Sequence, residues 1–195
     1  MPRLVTLPNA LTGLRLLLAP VFLWLYVTGD TVRAVAAFAA AAATDVLDGL
    51  AARALDQRSR AGAILDPIAD KVLSACALVA LAARGRLPLW LPVLDLSRDA
   101  AQLAGAVYLR RRDRYVPVAP TRIGKYATFW LAATVILALS EDFGASSATL
   151  GPWIAAAGLV AAECVAVSWV QYFLYFVRSA RGQWRAEGEG PRLAR

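Results

Sequence analysis

The sequence is built from six apolar runs separated by short polar or charged connections, the first two of them meeting the length of about 20 residues that a bilayer core needs. The runs cover about residues 10–28, 32–55, 62–83, 87–109, 124–139 and 152–177. Inside hydrocarbon every backbone N–H and C=O must be satisfied within its own segment, which leaves the helix as the conformation for such runs. With 59% of its residues hydrophobic, the composition also argues against a soluble globule. The expectation is an all-α integral membrane protein of six transmembrane helices. A single membrane domain would cover residues 1–180, and the charged, glycine-containing tail 181–195 would be disordered. The first run continues to Val27 without a small-residue cleavage site, so it reads as a retained span. Asn9 reads as its helix cap and Pro20 as a kink within it.

Six spans put both termini on one side, and the basic residues say which. Arg3, Arg58, Arg60, the run Arg110, Arg111, Arg112 and Arg114, then Arg122, Lys125, Arg178, Arg181 and Arg185 all fall on one face. The other face carries Arg33, Arg84 and Arg86, opposed by Asp30, Glu141 and Asp142. By the positive-inside rule the basic face is cytoplasmic. The net charge of +7 then reflects loop topology and attraction to anionic headgroups rather than nucleic acid. The location expected is the cell membrane.

Against this background four aspartates stand out. Asp45 and Asp48 are three residues apart near the end of the second run, and Asp66 and Asp70 four apart near the start of the third. Both spacings place a pair on one helix face. The short connection between the runs makes them antiparallel neighbours, with all four acids at similar depth near the cytoplasmic side. Carboxylates at membrane depth are costly, and so mark function. An all-oxygen set favours Mg²⁺, Mn²⁺ or Ca²⁺ over zinc, and four acids make two ions possible. Gly49 and Gly62 allow close approach beside the acids, and Arg53 is within reach of a phosphate. The bland alternative is a set of interfacial salt bridges to Arg53, Arg58, Arg60 and Lys71. The chain has no histidine, so a carboxylate is the available general base. Cys76 and Cys164 read as small core residues.

The spacing D-x2-D-G-x2-A-R-x8-G-x3-D-x3-D is met at every fixed position by Asp45, Asp48, Gly49, Ala52, Arg53, Gly62, Asp66 and Asp70. It resembles the signature of the CDP-alcohol phosphatidyltransferases, six-span membrane enzymes. Leu7-Pro8-Asn9-Ala10-Leu11-Thr12 with Arg15 and Pro20, and Ile123-Gly124-Lys125-Tyr126-Ala127-Thr128, resemble flanking segments of the glycerophospholipid-making branch. The resemblance implies displacement of CMP from a CDP-linked lipid by an acceptor hydroxyl. It makes Asp45, Asp48 and Asp66 the main ligands of Mg²⁺ or Mn²⁺, two ions by expectation, with Asp70 completing the site and serving as general base. It places Asp48, Gly49, Ala52, Arg53 and Gly62 around CDP-diacylglycerol.

The acceptor is expected to be an anionic glycerol compound held by Arg98, Asp99, Arg122 and Lys125. Phosphatidylglycerophosphate synthases are similar to this chain but carry Arg-Glu where it has Arg98-Asp99, which is more like the cardiolipin synthases. Phosphatidylglycerol is therefore the preferred acceptor and glycerol 3-phosphate the alternative. Arg98 has a purely structural reading too, paired with Asp95 or Asp99 on its own helix. Glu163 reads as an interhelical hydrogen-bonding group, and members of the family are commonly homodimers. A non-enzymatic divalent-cation channel or carrier, the reading of another class, leaves Gly49, Arg53 and Gly62 without a purpose.

Overall fold

A computed structural model describes residues 7–54, 62–112, 121–144 and 146–180. They form six helices: α1 (Leu7–Thr28), α2 (Thr31–Ala54), α3 (Gly62–Ala83), α4 (Trp90–Arg111), α5 (Arg122–Ser140) and α6 (Ser147–Ala180). A single 3₁₀ turn, Glu141–Phe143, follows α5, and there is no strand among the described residues. The all-helical expectation is met. α1, α6, and α5 together with its 3₁₀ turn are each long and apolar enough to cross a membrane.

The boundaries differ from the sequence reading in two instructive places. Asn9 is not a cap, because α1 already begins at Leu7. α6 starts at Ser147, five residues before Pro152, with the Ser146 carbonyl accepting from the amides of Thr149 and Leu150. A proline suits a first turn because its missing N–H costs nothing there, which drew the sequence boundary to Pro152. At 34 residues α6 is about 50 Å long, more than a bilayer core of about 30 Å needs.

The chain divides into two compact units. The first comprises Met1–Pro92 with Val135–Leu150, the second Val93–Thr134 with Gly151–Arg195. In the first, α1 packs against both α2 and α3. Its buried stripe is Thr12, Arg15, Ala19, Phe22 and Tyr26, all fully inaccessible and spaced alternately three and four residues apart. That is the repeat of a helix contacting other helices along one seam. Alanines are frequent among the buried residues of those two helices, Ala34 and Ala41 on α2 and Ala69, Ala77 and Ala80 on α3. Small residues let helix backbones approach where no water-driven force assembles them. Phe22 fills the remaining space, its ring 5.3 Å from Phe38 and 5.6 Å from Tyr26. The outward residues Leu17, Trp24 and Val32 are large, apolar and exposed, as a hydrocarbon-facing surface requires.

One end of this unit is sealed by a polar network. The Tyr26 hydroxyl donates to Asp142 (2.6 Å), and Arg86 donates to Asp142 (2.7 Å) and Glu141 (2.9 Å). Arg84 donates to Thr31 (2.8 Å) and lies over the Tyr26 ring at 4.9 Å. Gly85, with φ +70°, turns the chain between the two arginines. These are the opposed charges anticipated for this end of the helices. In the second unit five of the buried residues of α6, Ile154, Gly158, Ala161, Val165 and Ser168, repeat at the same three–four spacing, with Ala157 and Ser179 buried besides. Cys76 and Cys164 are half-buried free thiols. Glu163, expected to bond across helices, instead lies on the exposed side of α6, because the buried stripe runs through Ala161 and Val165 on either side of it.

Arg86→Met leaves Glu141 and Asp142, whose side chains are only 9% and 5% exposed, without their guanidinium. Unfolding in detergent should show a loss of about 2–3 kcal/mol.

Candidate functional site

A lone arginine on the buried stripe of an apolar helix must find anions, since its charge cannot be discharged by deprotonation. Arg15 of α1 is fully inaccessible and finds two on different helices. Its Nη2 lies 3.1 Å from Oδ1 of Asp45 on α2, and its Nη1 lies 2.7 Å from Oδ1 of Asp70 on α3. Three residues earlier on the same stripe, the Thr12 hydroxyl donates to Oδ1 of Asp66 at 2.6 Å. Three of the four signature aspartates thus gather along one face of α1.

The cluster sits at a boundary between closed and open space. Arg15 is at 0% exposure while the Asp45 and Asp70 side chains are 54% and 56% exposed. Charge-assisted bonds to a planar fork fix the two carboxylates relative to each other, and their open sides remain accessible to a ligand. Arg53, Arg58 and Arg60, considered above as partners of the acids, lie outside the described side chains; among those described, Arg15 bonds both Asp45 and Asp70. In the sequence Arg15 enters only with a flanking segment and has no evident partner; the signal that finds it is its position on the stripe of Ala19, Phe22 and Tyr26.

The side chains of Asp48, Gly49, Ala52, Arg53 and Gly62 lie outside the described residues, although α2 and α3 carry them as helix. Among the described residues no three acids converge closely enough to hold a single ion. The donor chemistry nevertheless suits a hard divalent cation. Asp45, Asp66 and Asp70 are all-oxygen donors, and three carboxylates outnumber the Arg15 guanidinium that holds two of them.

The second unit holds Arg98, Asp99, Arg122 and Lys125. Arg98 on α4 is buried and donates through Nη1 to Oδ1 of Asp95 at 3.2 Å. This is the same-helix pairing anticipated as its structural role. That bond leaves part of the guanidinium unused: Nε has no partner, nor do the neighbouring buried atoms Nε2 of Gln102 and Oγ of Ser168. Unpaired buried donors call for a ligand or water. Arg98 and Gln102 line a cavity of about 480 Å³ whose other walls are mainly apolar, among them Gly105, Tyr108, Trp169 and Phe176. At the start of α5 the Thr121 hydroxyl accepts from the Gly124 amide at 3.0 Å, as a helix cap does. A Cβ on Gly124 would lie 3.2 Å from the Thr121 hydroxyl and 3.6 Å from both Nη2 of Arg98 and Oγ of Ser168. The glycine of the Gly-Lys segment therefore leaves room for the arginine. Arg122 and Lys125 are exposed and Asp99 is half-buried. Gln102 and Ser168 gave no signal in the sequence, being ordinary polar residues in apolar helices.

Residues 5–174 match the family CDP-alcohol phosphatidyltransferase. The chain is 38% identical over 160 residues to the cardiolipin synthase (CMP-forming) of Streptomyces coelicolor, covering 77% of this chain and 74% of that one. It is 35% identical over 189 residues to the probable phosphatidylglycerophosphate synthase of Mycobacterium tuberculosis, covering 92% and 84%. It is 39% identical over 138 residues to a cardiolipin synthase (CMP-forming)/mitochondrial hydrolase fusion protein of Schizosaccharomyces pombe, covering 63% of this chain and 23% of the fusion. The chain thus spans most of the two bacterial relatives and less than a quarter of the fusion protein. It belongs to the CDP-alcohol phosphatidyltransferase family.

Gly124→Val should lower stability in detergent by about 1–3 kcal/mol through overpacking against Thr121 and Arg98. Gly124→Ala should be close to neutral, because the gain in helix propensity offsets the tight contact. Thermal unfolding of the two variants side by side checks the difference.

Proposed function

We propose that this member of the CDP-alcohol phosphatidyltransferases transfers the phosphatidyl group of CDP-diacylglycerol to phosphatidylglycerol, releasing CMP and forming cardiolipin. The observation that carries the reading is the gathering of three signature aspartates around one buried arginine with their carboxylates half open. Nothing about a channel asks for such an arrangement beside Gly49, Arg53 and Gly62.

In the reaction the acceptor oxygen forms a bond to the β-phosphorus as the bond from that phosphorus to the CMP oxygen breaks, the two oxygens roughly in line. Asp70 takes the proton of the acceptor hydroxyl, the role open to a carboxylate in a chain with no histidine. Asp48, Gly49, Ala52, Arg53 and Gly62 hold the CDP group. Asp45, Asp48, Asp66 and Asp70 would bind Mg²⁺ or Mn²⁺, one or two ions, whose charge supports departure of CMP. Arg98, with Asp99, Arg122 and Lys125, binds the anionic part of the acceptor.

Two observations favour a lipid acceptor. Arg98 is followed by aspartate, and its unpartnered Nε belongs to a side chain lining a largely apolar cavity. A cavity of that kind suits an amphiphile better than a small polar phosphate ester. Glycerol 3-phosphate, giving phosphatidylglycerophosphate, is the second reading, favoured by the similarity to the mycobacterial relative along 92% of the chain. The arrangement that goes with either is six spans in the cell membrane, both termini and the site at the cytoplasmic side, in a homodimer. There a water-soluble CMP leaves while the lipid stays.

Purified protein in detergent with Mn²⁺ or Mg²⁺ should release CMP from CDP-diacylglycerol with phosphatidylglycerol and not with glycerol 3-phosphate. The opposite pattern selects the second reading, and no CMP with either acceptor sinks both. Chelation should abolish the release. Asp70→Asn should keep CDP-lipid binding and lose turnover by about 100-fold or more; loss of binding instead would make Asp70 a ligand and no base.

A further inference from the structure

We propose that Arg15 is the standing countercharge of the aspartate cluster and, with Thr12, the positioning element that sets the acids of α2 and α3 for the transfer reaction. The inference rests on the metal-dependent reading above and assigns a role to residues outside the eight-residue signature.

Three features of the geometry lead there. First, Arg15 is fully buried in α1 and yet bonds carboxylates on two other helices, with Nη1 on Asp70 and Nη2 on Asp45. A guanidinium is a rigid planar fork with its charge spread over both ends, so it fixes the separation between two acceptors; an ammonium is a point charge that does not. Second, Thr12 stands one turn away on the same stripe and fixes Asp66, so α1 presents an ordered pair of donors to three acids. Third, the Asp45 and Asp70 side chains stay 54% and 56% exposed although the arginine that holds them is fully buried. The acids are therefore held by protein groups of α1. Their mutual repulsion, which at close range would drive α2 and α3 apart, is offset within the fold.

The consequence concerns affinity as well as order. A guanidinium beside the same carboxylates repels a divalent cation, so Arg15 weakens cation binding while it preserves the spacing that turnover needs. A cluster poised in this way takes up a cation, and gives it back, without reorganising the helices.

The test uses the purified full chain in detergent with no lipid present, and reads Mn²⁺ affinity by electron paramagnetic resonance. Arg15→Gln should bind Mn²⁺ about tenfold more tightly than the parent. Its CMP release should fall by about 100-fold, since small displacements of a reacting geometry have effects of that size. Arg15→Lys keeps the charge without the fork. Its Mn²⁺ affinity should stay within about threefold of the parent while its turnover falls. In chelator both variants should unfold several degrees below the parent, with Mn²⁺ restoring Arg15→Gln more than Arg15→Lys. A folded Arg15→Gln protein with unchanged or weaker Mn²⁺ affinity would overturn the proposal. Should Arg15→Gln not fold under any condition, Arg15→Lys decides: an affinity altered by more than about tenfold at constant charge overturns the proposal, and a parent-like affinity with reduced turnover supports it. If the parent itself binds no Mn²⁺ and releases no CMP, the metal-dependent reading fails. Unfolding in chelator still judges the clamp, and parent-like unfolding of both variants rejects it.

Discussion

The structure depends on a single buried cation shared between two acids that belong to different helices. Arg15 reaches Asp45 and Asp70 from the inside of the α1 seam, where it is fully inaccessible. Removing either acid would take from a fully buried charge one of its two carboxylate partners. The same contact therefore joins three helices and orders the carboxylates. In a membrane protein, where apolar packing of helix on helix gains little over packing of helix on lipid, polar contacts of this kind carry much of the specificity of assembly.

The first unit is organised around this contact in a graded way. Along one stripe of α1 the donors Thr12 and Arg15 come first, then the small Ala19, then the rings of Phe22 and Tyr26. At the end of the stripe the Tyr26 hydroxyl meets Asp142, which is also held by Arg86. The alanine surfaces of α2 and α3 let α1 approach closely enough for short side chains such as Thr12 and Asp66 to meet. The second unit solves a related problem differently. Arg98 is countered by Asp95 on its own helix, so it needs no distant partner, and Nε together with Gln102 and Ser168 keeps unused hydrogen-bonding capacity. One arginine serves assembly and the other is available to a ligand.

Much of this was legible in order. Helix number and type followed from the length of the apolar runs, because a backbone in hydrocarbon has no alternative to its own hydrogen bonds. Spacing alone singled out Asp45, Asp48, Asp66 and Asp70, and a same-helix partner for Arg98 was open between Asp95 and Asp99 until the structure showed the bond to Asp95. The start of α6 could not be read, because Pro152 resembles a helix start and the preceding Ser147–Leu150 turn carries no contrary mark. Nor could the partner of Asp45 and Asp70. The candidates nearest in sequence were Arg53, Arg58, Arg60 and Lys71, whereas Arg15 lies 30 residues from the one and 55 from the other.

By itself, then, the sequence determined an all-helical chain, the two spaced pairs of aspartates, and the family to which the chain belongs. Those properties reside in local hydropathy, residue type and spacing along one helix or its neighbour. Only the tertiary structure decided that Arg15 and Thr12 face the aspartates. It also decided that a cavity with apolar walls adjoins Arg98. Both depend on which side of a helix is buried and against what, and that is settled by packing between segments far apart in the chain.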